Sequence, residues 1–125
     1  MTDKEKIIYL AGLIDGEGHF FVYKWDGGEN AYPSNIVGIA ITNTNKEVIV
    51  WLKENYGGYF NTRLPKKKNW NISYDWQLRG TFAITLAHLL EPYLIVKKEQ
   101  VKRLTRIKFQ TVGKYTTMVK KTVYR

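Results

Sequence analysis

Apolar residues near the start of the chain recur at the spacing of a helix that buries one face. They are Ile7, Leu10, Ala11 and Ile14. Thr2 and Glu5 have the spacing of a capping box, so the pattern predicts that this helix begins near Asp3. Gly16 and Gly18 are expected to end it, because glycine adopts the backbone angles that helix C-termini favour.

The rest of the chain alternates pairs of strands with helices. Strand patterns cover residues 19–25, 35–44, 59–64 and 73–79. Helical patterns cover residues 44–56, 81–90 and 97–109, and the first of these opens on a second capping-box spacing between Thr44 and Glu47. This order predicts an α+β domain of the αββαββα type, a four-stranded antiparallel sheet with helices packed on one face. The other face is left for solvent or a ligand.

Alternation within the strands assigns side chains to the two faces of the predicted sheet. In the second strand, small residues fall on one side and leave room for something large to approach: Gly38, Ala40 and Thr42. In the fourth strand, apolar residues are expected to face the core: Tyr74, Trp76 and Leu78. The polar residues between them are expected to face outward: Asp75, Gln77 and Arg79.

The chain has 125 residues, which indicates one domain with its own core. We expect this domain to cover residues 1–109 and a basic tail to cover residues 110–125. The sequence contains no cysteine, so it offers neither disulfides nor thiolate-bound zinc. It shows neither a secretory pattern nor a long apolar run, which favours a soluble intracellular protein of unspecified compartment.

The charge balance of the chain indicates a polyanionic partner. Twenty Lys and Arg residues stand against eleven Asp and Glu residues, which gives a net charge of +9. An RNA-binding or ribosomal protein has the same balance, so charge alone leaves DNA and RNA both open.

The stretch from Leu10 to Gly18, LAGLIDGEG, joins the end of an apolar helix to two carboxylates and two glycines. An acid near the negative end of a helix is unfavourable by about 0.3–1 kcal/mol, and an arbitrary D-G-E-G is typical of a solvated turn. These nine residues closely resemble the signature of the LAGLIDADG homing endonucleases and match it at seven positions. The two departures are Gly16 for alanine and Glu17 for the second aspartate.

This resemblance extends over about residues 3–109 and implies a function. Proteins of the family are site-specific endonucleases that cleave both strands of a long, pseudo-palindromic DNA target by metal-dependent phosphodiester hydrolysis. In that family the open face of the sheet is a saddle that lies along the DNA major groove. The tail at residues 110–125 falls outside the resemblance.

The resemblance implies that Glu17 binds a divalent metal ion together with the carbonyl oxygen of Gly16. Such oxygen ligands suit Mg²⁺, for which Mn²⁺ is expected to substitute. The metal ion would position the phosphate and generate hydroxide. Asp15 is expected to be structural and to accept backbone donors at the helix end.

Two further catalytic positions follow from the resemblance. Asn45 falls where the family often has a residue that orients the attacking water, although a helix cap is an equally good interpretation. Lys97 matches the family's active-site lysine, which can stabilise phosphate charge, and Lys98 replaces it if the alignment slips by one residue. The basic residue that the family often has early in the second helix is here Ile49, so Lys46 is the nearest substitute.

Polar residues on the predicted open face are candidates for DNA contacts. The loop Lys66, Lys67 and Lys68 is by default a solvated turn, but beside an open sheet we interpret it as a phosphate anchor. The predicted set is completed by residues able to contact bases or phosphates: His19, Tyr23, Thr42, Asn61, Arg63, Asp75, Gln77 and Arg79. A histidine-metal nuclease is disfavoured, because His19 and His88 have no clustered partners and His88 is expected on a helix surface.

A single motif in the chain predicts a homodimer, because cleavage of two strands calls for two metal-binding acids. We expect the first helix to pair with its copy through Ala11, Gly12 and Gly16, since small residues allow close approach. The competing interpretation is one half of a larger two-motif protein. Two alternative functions remain on the same fold: a splicing maturase that binds intron RNA, and a catalytically silent DNA-binding regulator. The intact Glu17 and Lys97 favour the enzyme.

Overall fold

The computed structural model describes residues 1–25 and 34–107. The elements in chain order are α1 (Asp3–Glu17), β1 (Gly18–Trp25), β2 (Ser34–Asn43), α2 (Lys46–Tyr56), β3 (Tyr59–Arg63), β4 (Ser73–Arg79), α3 (Thr81–Leu90) and α4 (Lys98–Thr105). A short 3-10 helix, Glu91–Tyr93, connects α3 to the segment before α4. The predicted order and the α+β class are confirmed. The tail at residues 110–125 and the predicted end of the last helix at Phe109 lie outside the described residues.

The four strands form one antiparallel sheet in the order β1-β2-β4-β3. Ile41 in β2 pairs with Gly18 of β1 on one side and with Trp76 of β4 on the other. One face of the sheet is buried against the helices, as alternation predicts. Its core residues are Phe20, Val37, Ile39, Ile41, Trp76 and Leu78. None of the helices within residues 1–25 and 34–107 is long and apolar enough to cross a membrane.

The start of α2 corrects one prediction. The N-cap is Asn45 rather than Thr44, and its Oδ1 accepts the Val48 N–H at 3.2 Å. The shift has a visible cause, because the side chain of Asn43 accepts the Asn45 N–H at 2.8 Å and turns the chain directly after β2. The capping box at α1 is present as predicted, with Thr2 as the N-cap and Glu5 as its partner.

The helix α1 ends at Glu17, directly before Gly18, as the sequence predicts. The reason why glycine is needed at position 18 differs from the predicted one. Gly18 has φ −108 and ψ −179, which is extended backbone that any residue adopts. A Cβ at Gly18 would lie 2.9 Å from Ile14 Cα and 3.0 Å from Ile41 Cγ1. Glycine is therefore required by the close approach of α1 to β2, not by a left-handed turn. This contact fixes the direction in which the end of α1 leaves the core.

Gly18→Ala is expected to lower the free energy of unfolding by about 1–3 kcal/mol, because its methyl group meets backbone that cannot move aside. Gly16→Ala is the matched control, since a Cβ at Gly16 has no atom within 4 Å. The control is expected to leave stability unchanged or raise it by up to about 1 kcal/mol, as alanine favours a helix over glycine. Denaturant unfolding of both variants measures the difference, and equal effects would contradict the close-approach explanation.

Candidate functional site

Glu17, the last residue of α1, is exposed and its carboxylate is held by Asn43 at the end of β2. The Asn43 Nδ2 donates to Glu17 Oε2, while the Asn43 Oδ1 accepts the Asn45 N–H at 2.8 Å. Because a backbone N–H only donates, this second bond fixes which end of the Asn43 amide faces Glu17. The carboxylate therefore has a defined direction at the surface.

Asn43 is a residue that the sequence did not single out, although the strand pattern around it indicates its position. It follows Val37, Ile39 and Ile41 at the two-residue spacing of a strand, so it projects toward the helices. Because Gly18, the residue after Glu17, pairs with Ile41, the end of β2 lies beside the end of α1. Strand alternation combined with this register places Asn43 at the acid.

The carbonyl oxygen of Gly16 lies at the same helix end. Its donor in a continuing helix would be the N–H of Phe20, four residues on. The chain instead leaves the helix at the extended Gly18, and the Phe20 N–H in β1 donates to Gln100 Oε1 of α4 at 3.1 Å. The Gly16 carbonyl is thereby left as one of the C-terminal carbonyls without an intrahelical donor. Gln100 is a second residue that the sequence did not single out.

The Glu17 carboxylate and the Gly16 carbonyl are the oxygen atoms at this helix end that could bind a divalent metal ion. The described residues contain no group of three or more His, Cys, Asp and Glu side chains that could hold a metal. A carboxylate of Glu17 and a carbonyl of Gly16 are instead a partial set of hard oxygen donors. Such a set fits Mg²⁺, which keeps several waters and takes phosphate oxygens as further ligands.

Asp15 connects the end of α1 to the segment before α4. Its carboxylate accepts the N–H groups of Ile95 at 2.7 Å, Val96 at 3.1 Å and Lys97 at 2.9 Å. Asp15 was predicted to accept backbone donors, and it does so, but the donors come from 80 residues away. Lys97 is the N-cap residue of α4 and has no side-chain cap of its own, so Asp15 supplies the acceptor at that helix start.

The remaining predicted catalytic residues lie around this helix end. Lys97 is half-buried and tied to α1 through Asp15, whereas Lys98 is the exposed first residue of α4. Asn45 caps α2, so the helix-cap interpretation holds for its Oδ1. Ile49 is fully buried in the core, which explains why no basic residue occupies that position.

The open face of the sheet carries a second set of predicted residues, linked to one another. Asp75 accepts from Thr42 Oγ1 at 2.5 Å and from Arg63 Nε at 3.1 Å. It was predicted to be exposed, but it is 6% exposed because these two neighbours cover it. This burial corrects the predicted direct contact between Asp75 and DNA. Asn61, directly opposite Asp75 in β3, is exposed.

A row of aromatic rings follows β1 on the same face. His19 and Phe21 have ring centroids 5.9 Å apart, and Phe21 stacks on Tyr23 at 5.7 Å. Phe21 lies over Gly38, where a Cβ would come within 2.4 Å of its Cζ. The small-residue side of β2 is thus partly filled by a ring of this chain, which the sequence did not predict.

Arg79 is held above this row. Its guanidinium carbon lies 5.6 Å from the Phe21 ring centroid, and Gln77 Oε1 accepts from its Nε at 3.2 Å and Nη2 at 3.1 Å. The loop between β3 and β4 adds exposed positive charge at Lys66, Lys67 and Lys68. Lys67 Nζ lies 5.3 Å from the centroid of the Trp70 ring.

The outer side of α1 presents small and apolar residues to solvent. Gly12 and Gly16 are exposed, and a Cβ at either has no atom within 4 Å. Ile8, one turn before Gly12, is 44% exposed. The structure corrects the prediction for Ala11, which is fully buried in the chain's own core and is not accessible to a partner.

Comparison with known proteins identifies the fold. The archaeal intron-encoded homing endonuclease I-Vdi141I, solved with DNA, has a TM-score of 0.65 at 21% identity over 98% of this chain and 82% of its own. The homing endonuclease I-CvuI, solved with the I-CreI target uncleaved in the presence of Mg, has a TM-score of 0.65 at 18% identity. That match covers 83% of this chain and 66% of the I-CvuI chain, just under two thirds.

A third similar structure is the LAGLIDADG meganuclease I-CpaMI bound to uncleaved DNA, with a TM-score of 0.55 at 14% identity. It covers 80% of this chain and 36% of its own. At the level of sequence, no protein-family model and no curated protein matches the chain. At these identities the comparisons establish the fold.

Asp15→Ala is expected to lower the free energy of unfolding by about 1–2 kcal/mol, because three backbone N–H groups lose one shared acceptor. Amide hydrogen exchange should accelerate at Ile95, Val96 and Lys97. Glu17→Ala is the matched control, since its carboxylate is exposed, and it should change stability by less than about 0.5 kcal/mol. Equal destabilisation by the two variants would contradict the division of roles between these acids.

Proposed function

We propose, on the premise that this chain has the fold of the LAGLIDADG homing endonucleases, that it is a site-specific DNA endonuclease. It cleaves both strands of a long, pseudo-palindromic target by metal-dependent phosphodiester hydrolysis. Mg²⁺ is the cofactor, and Mn²⁺ substitutes for it. The protein acts as a homodimer and serves the mobility of an intron or intein.

The exposed carboxylate of Glu17 at the end of α1 carries this proposal. A cationic partner would normally compensate an acid at the negative end of a helix, but the described partner of Glu17 is the neutral Asn43. A bound cation explains that position. When bound, Mg²⁺ neutralises phosphate charge and lowers the pKa of a coordinated water.

The residues of the chain divide the remaining work. Glu17 and the Gly16 carbonyl would hold the metal, while Asn43 keeps the carboxylate in one direction. Lys97, anchored through its backbone to Asp15, stabilises negative charge at the scissile phosphate. The Nδ2 of Asn45 orients water near the phosphate while its Oδ1 caps α2.

The open face of the sheet binds the DNA. The net charge of +9 attracts the phosphate backbone, and Lys66, Lys67 and Lys68 contact phosphates beside the sheet. The face itself presents side chains able to contact base edges or nearby phosphates: His19, Tyr23, Thr42, Asn61, Arg63, Gln77 and Arg79. I-Vdi141I and I-CvuI were both solved in complexes with DNA, which supports this use of the fold.

The outer side of α1 supports a homodimer. Glycine within a helix costs about 1 kcal/mol relative to alanine, and no neighbour in the described chain requires it at Gly12 or Gly16. A second backbone at close range explains Gly12, and Gly16, where the family signature has alanine, continues the same row of small residues one turn further along α1. Ile8, 44% exposed one turn before Gly12, gives the pair of helices an apolar side chain to bury. Ile95 and Val96, on the segment that Asp15 holds, are 80% and 71% exposed.

Glu17→Gln is expected to abolish cleavage of a plasmid carrying the natural insertion locus in Mg²⁺, while DNA affinity stays within about threefold, because the side chain keeps its size and loses its charge. Lys97→Ala should slow cleavage by about 10²-fold or more, again with little loss of affinity. Cleavage is followed by gel analysis and affinity by fluorescence anisotropy. Glu99→Gln makes the same chemical change on α4, where Glu99 pairs with Lys102, and is the control.

Undiminished cleavage by Glu17→Gln would remove the assignment of the metal ligand. A larger effect of Lys98→Ala than of Lys97→Ala would move the active-site lysine by one residue. Wild-type protein that binds intron RNA and leaves the plasmid intact would indicate a maturase. Wild-type protein that binds the locus and leaves it intact would indicate a DNA-binding regulator.

Gly12→Val is expected to separate the two α1 helices and abolish double-strand cleavage, because its side chain occupies the space of the second backbone. The chain itself should fold, since a Cβ there meets no atom within 4 Å. Light scattering measures the mass with and without DNA. His88→Val, at an exposed position of α3, is the control for a β-branched residue on a helix. One wild-type chain per target would rule out the dimer and favour half of a two-motif protein.

A further inference from the structure

An acid on the DNA-facing side of a strongly basic protein requires an explanation. Asp75 lies on the open face of β4, and a bare carboxylate there would repel the phosphate backbone. Asp75 is nevertheless 94% buried, because it sits under two residues of the neighbouring strands. Thr42 lies directly opposite in β2, and Arg63 lies one diagonal step away in β3, since its own partner is Ser73.

Both oxygens of Asp75 are occupied by these neighbours. Oδ1 accepts from Thr42 Oγ1 at 2.5 Å. Oδ2 accepts from Arg63 Nε at 3.1 Å and lies 3.0 Å from Arg63 Nη2. A free carboxylate on this face would accept a hydrogen bond from a cytosine amino group. Asp75 has neither the exposure nor an unused oxygen facing outward, so direct reading of cytosine does not fit.

The contact with Asp75 determines which edge of Arg63 faces outward. A guanidinium has a side edge, formed by Nε and Nη2, and an end edge, formed by Nη1 and Nη2. Asp75 takes the side edge, which leaves the two parallel donors of the end edge for a ligand. The Arg63 side chain is 65% exposed, whereas that of Asp75 is 9% exposed. Asp75 is therefore the buried, fixed partner of the ion pair, and the guanidinium of Arg63 is the partner that a ligand can reach.

Two parallel donors match the O6 and N7 acceptors that guanine presents in the major groove. A surface arginine that is free to rotate loses rotamer entropy when it reads a base. Arg63 is spared part of that loss, because the buried carboxylate already restrains its last torsions. The charge of Asp75 is neutralised in the same contact, so it does not oppose the DNA.

We propose that Asp75 is a positioning residue for specificity: it holds the end edge of Arg63 toward the major groove and thereby makes one position of the target, in each half-site, a guanine. The inference rests on the proposed function, since it requires DNA on the open face. Thr42 shares the carboxylate and keeps it from rotating away from Arg63. Arg79, held through its Nε and Nη2 by Gln77, shows the same side-edge arrangement on the neighbouring part of the face.

The test uses the duplex that the wild-type protein selects from a randomised double-stranded DNA library, together with a panel in which each base pair is changed in turn. Arg63→Ala should reduce discrimination at one guanine by roughly 5- to 150-fold, the equivalent of about 1–3 kcal/mol. Asp75→Asn has the same size but loses the negative charge, so the ion pair that holds Arg63 becomes at most a bond to a neutral amide oxygen. It should reduce discrimination at that same guanine, and the double variant should lose no more than Arg63→Ala alone.

Controls separate positioning from a general effect on the fold or on charge. Glu99→Gln raises the net charge by the same one unit and should leave the preference at every position unchanged. Thermal unfolding of Asp75→Asn without DNA measures any loss of stability, which by itself would weaken binding to all duplexes alike. Only a positioning role produces a loss that is confined to the guanine read by Arg63.

Three results would overturn the inference while leaving the nuclease in place. They are a uniform loss of affinity in Asp75→Asn, a loss at a position that Arg63→Ala does not affect, and additive losses in the double variant. A cytosine preference that depends on Asp75 alone would instead identify it as a direct reader. Failure of the wild-type protein to enrich any duplex from the library would remove the proposed function, and this inference with it.

Discussion

Two carboxylates at the end of α1, separated by one residue, face opposite ways, and the rest of the site depends on the inward one. Asp15 accepts three successive N–H groups from the segment that starts α4. This contact brings Lys97 to the end of α1. Glu17 instead stays at the surface, where its carboxylate accepts a hydrogen bond from Asn43. The inward acid fixes the position of the lysine relative to the helix end, and the bond from Phe20 to Gln100 adds a second connection between β1 and α4. One short stretch of sequence thus contains both the acid that connects α1 to the start of α4 and the acid that is exposed at the surface.

The elements of the fold were predictable because their signals are local. Apolar spacing in α1 and alternation in β4 each follow from side chains that must reach one core, and the structure confirms both. The corrected details have a different origin. Asn45 replaces Thr44 as the cap because the side chain of Asn43 turns the chain first. Ala11 belongs to the core, as the apolar spacing of α1 indicates, and not to the exposed side of the helix where the dimer interface was also expected to include it.

For the candidate site, the sequence was sufficient to name the main residues but not to predict which residues they contact. Glu17, Asp15 and Lys97 were named from the motif and its resemblance, and the structure places all three around one helix end. The contacts made by Gln100 and by Asp75 were not predictable, because each depends on the packing of elements distant in sequence or on the register between strands. A polar residue on an open face has the same sequence pattern whether it faces solvent or lies beneath a neighbour.

The bonds that complete the end of α1 have a consequence for biosynthesis. Asp15 and Phe20 are synthesised before their partners in and before α4, which follow 80 to 82 positions later. Contacts so far apart in the sequence carry a loop-closure cost, which pairing of the intervening strands reduces. The end of α1 therefore cannot reach its final geometry before residues 95–100 have been synthesised, so the nascent polypeptide contains the motif before it contains the contacts that hold it. These contacts at the end of α1 can form completely only when the elements from β1 to α4 have folded.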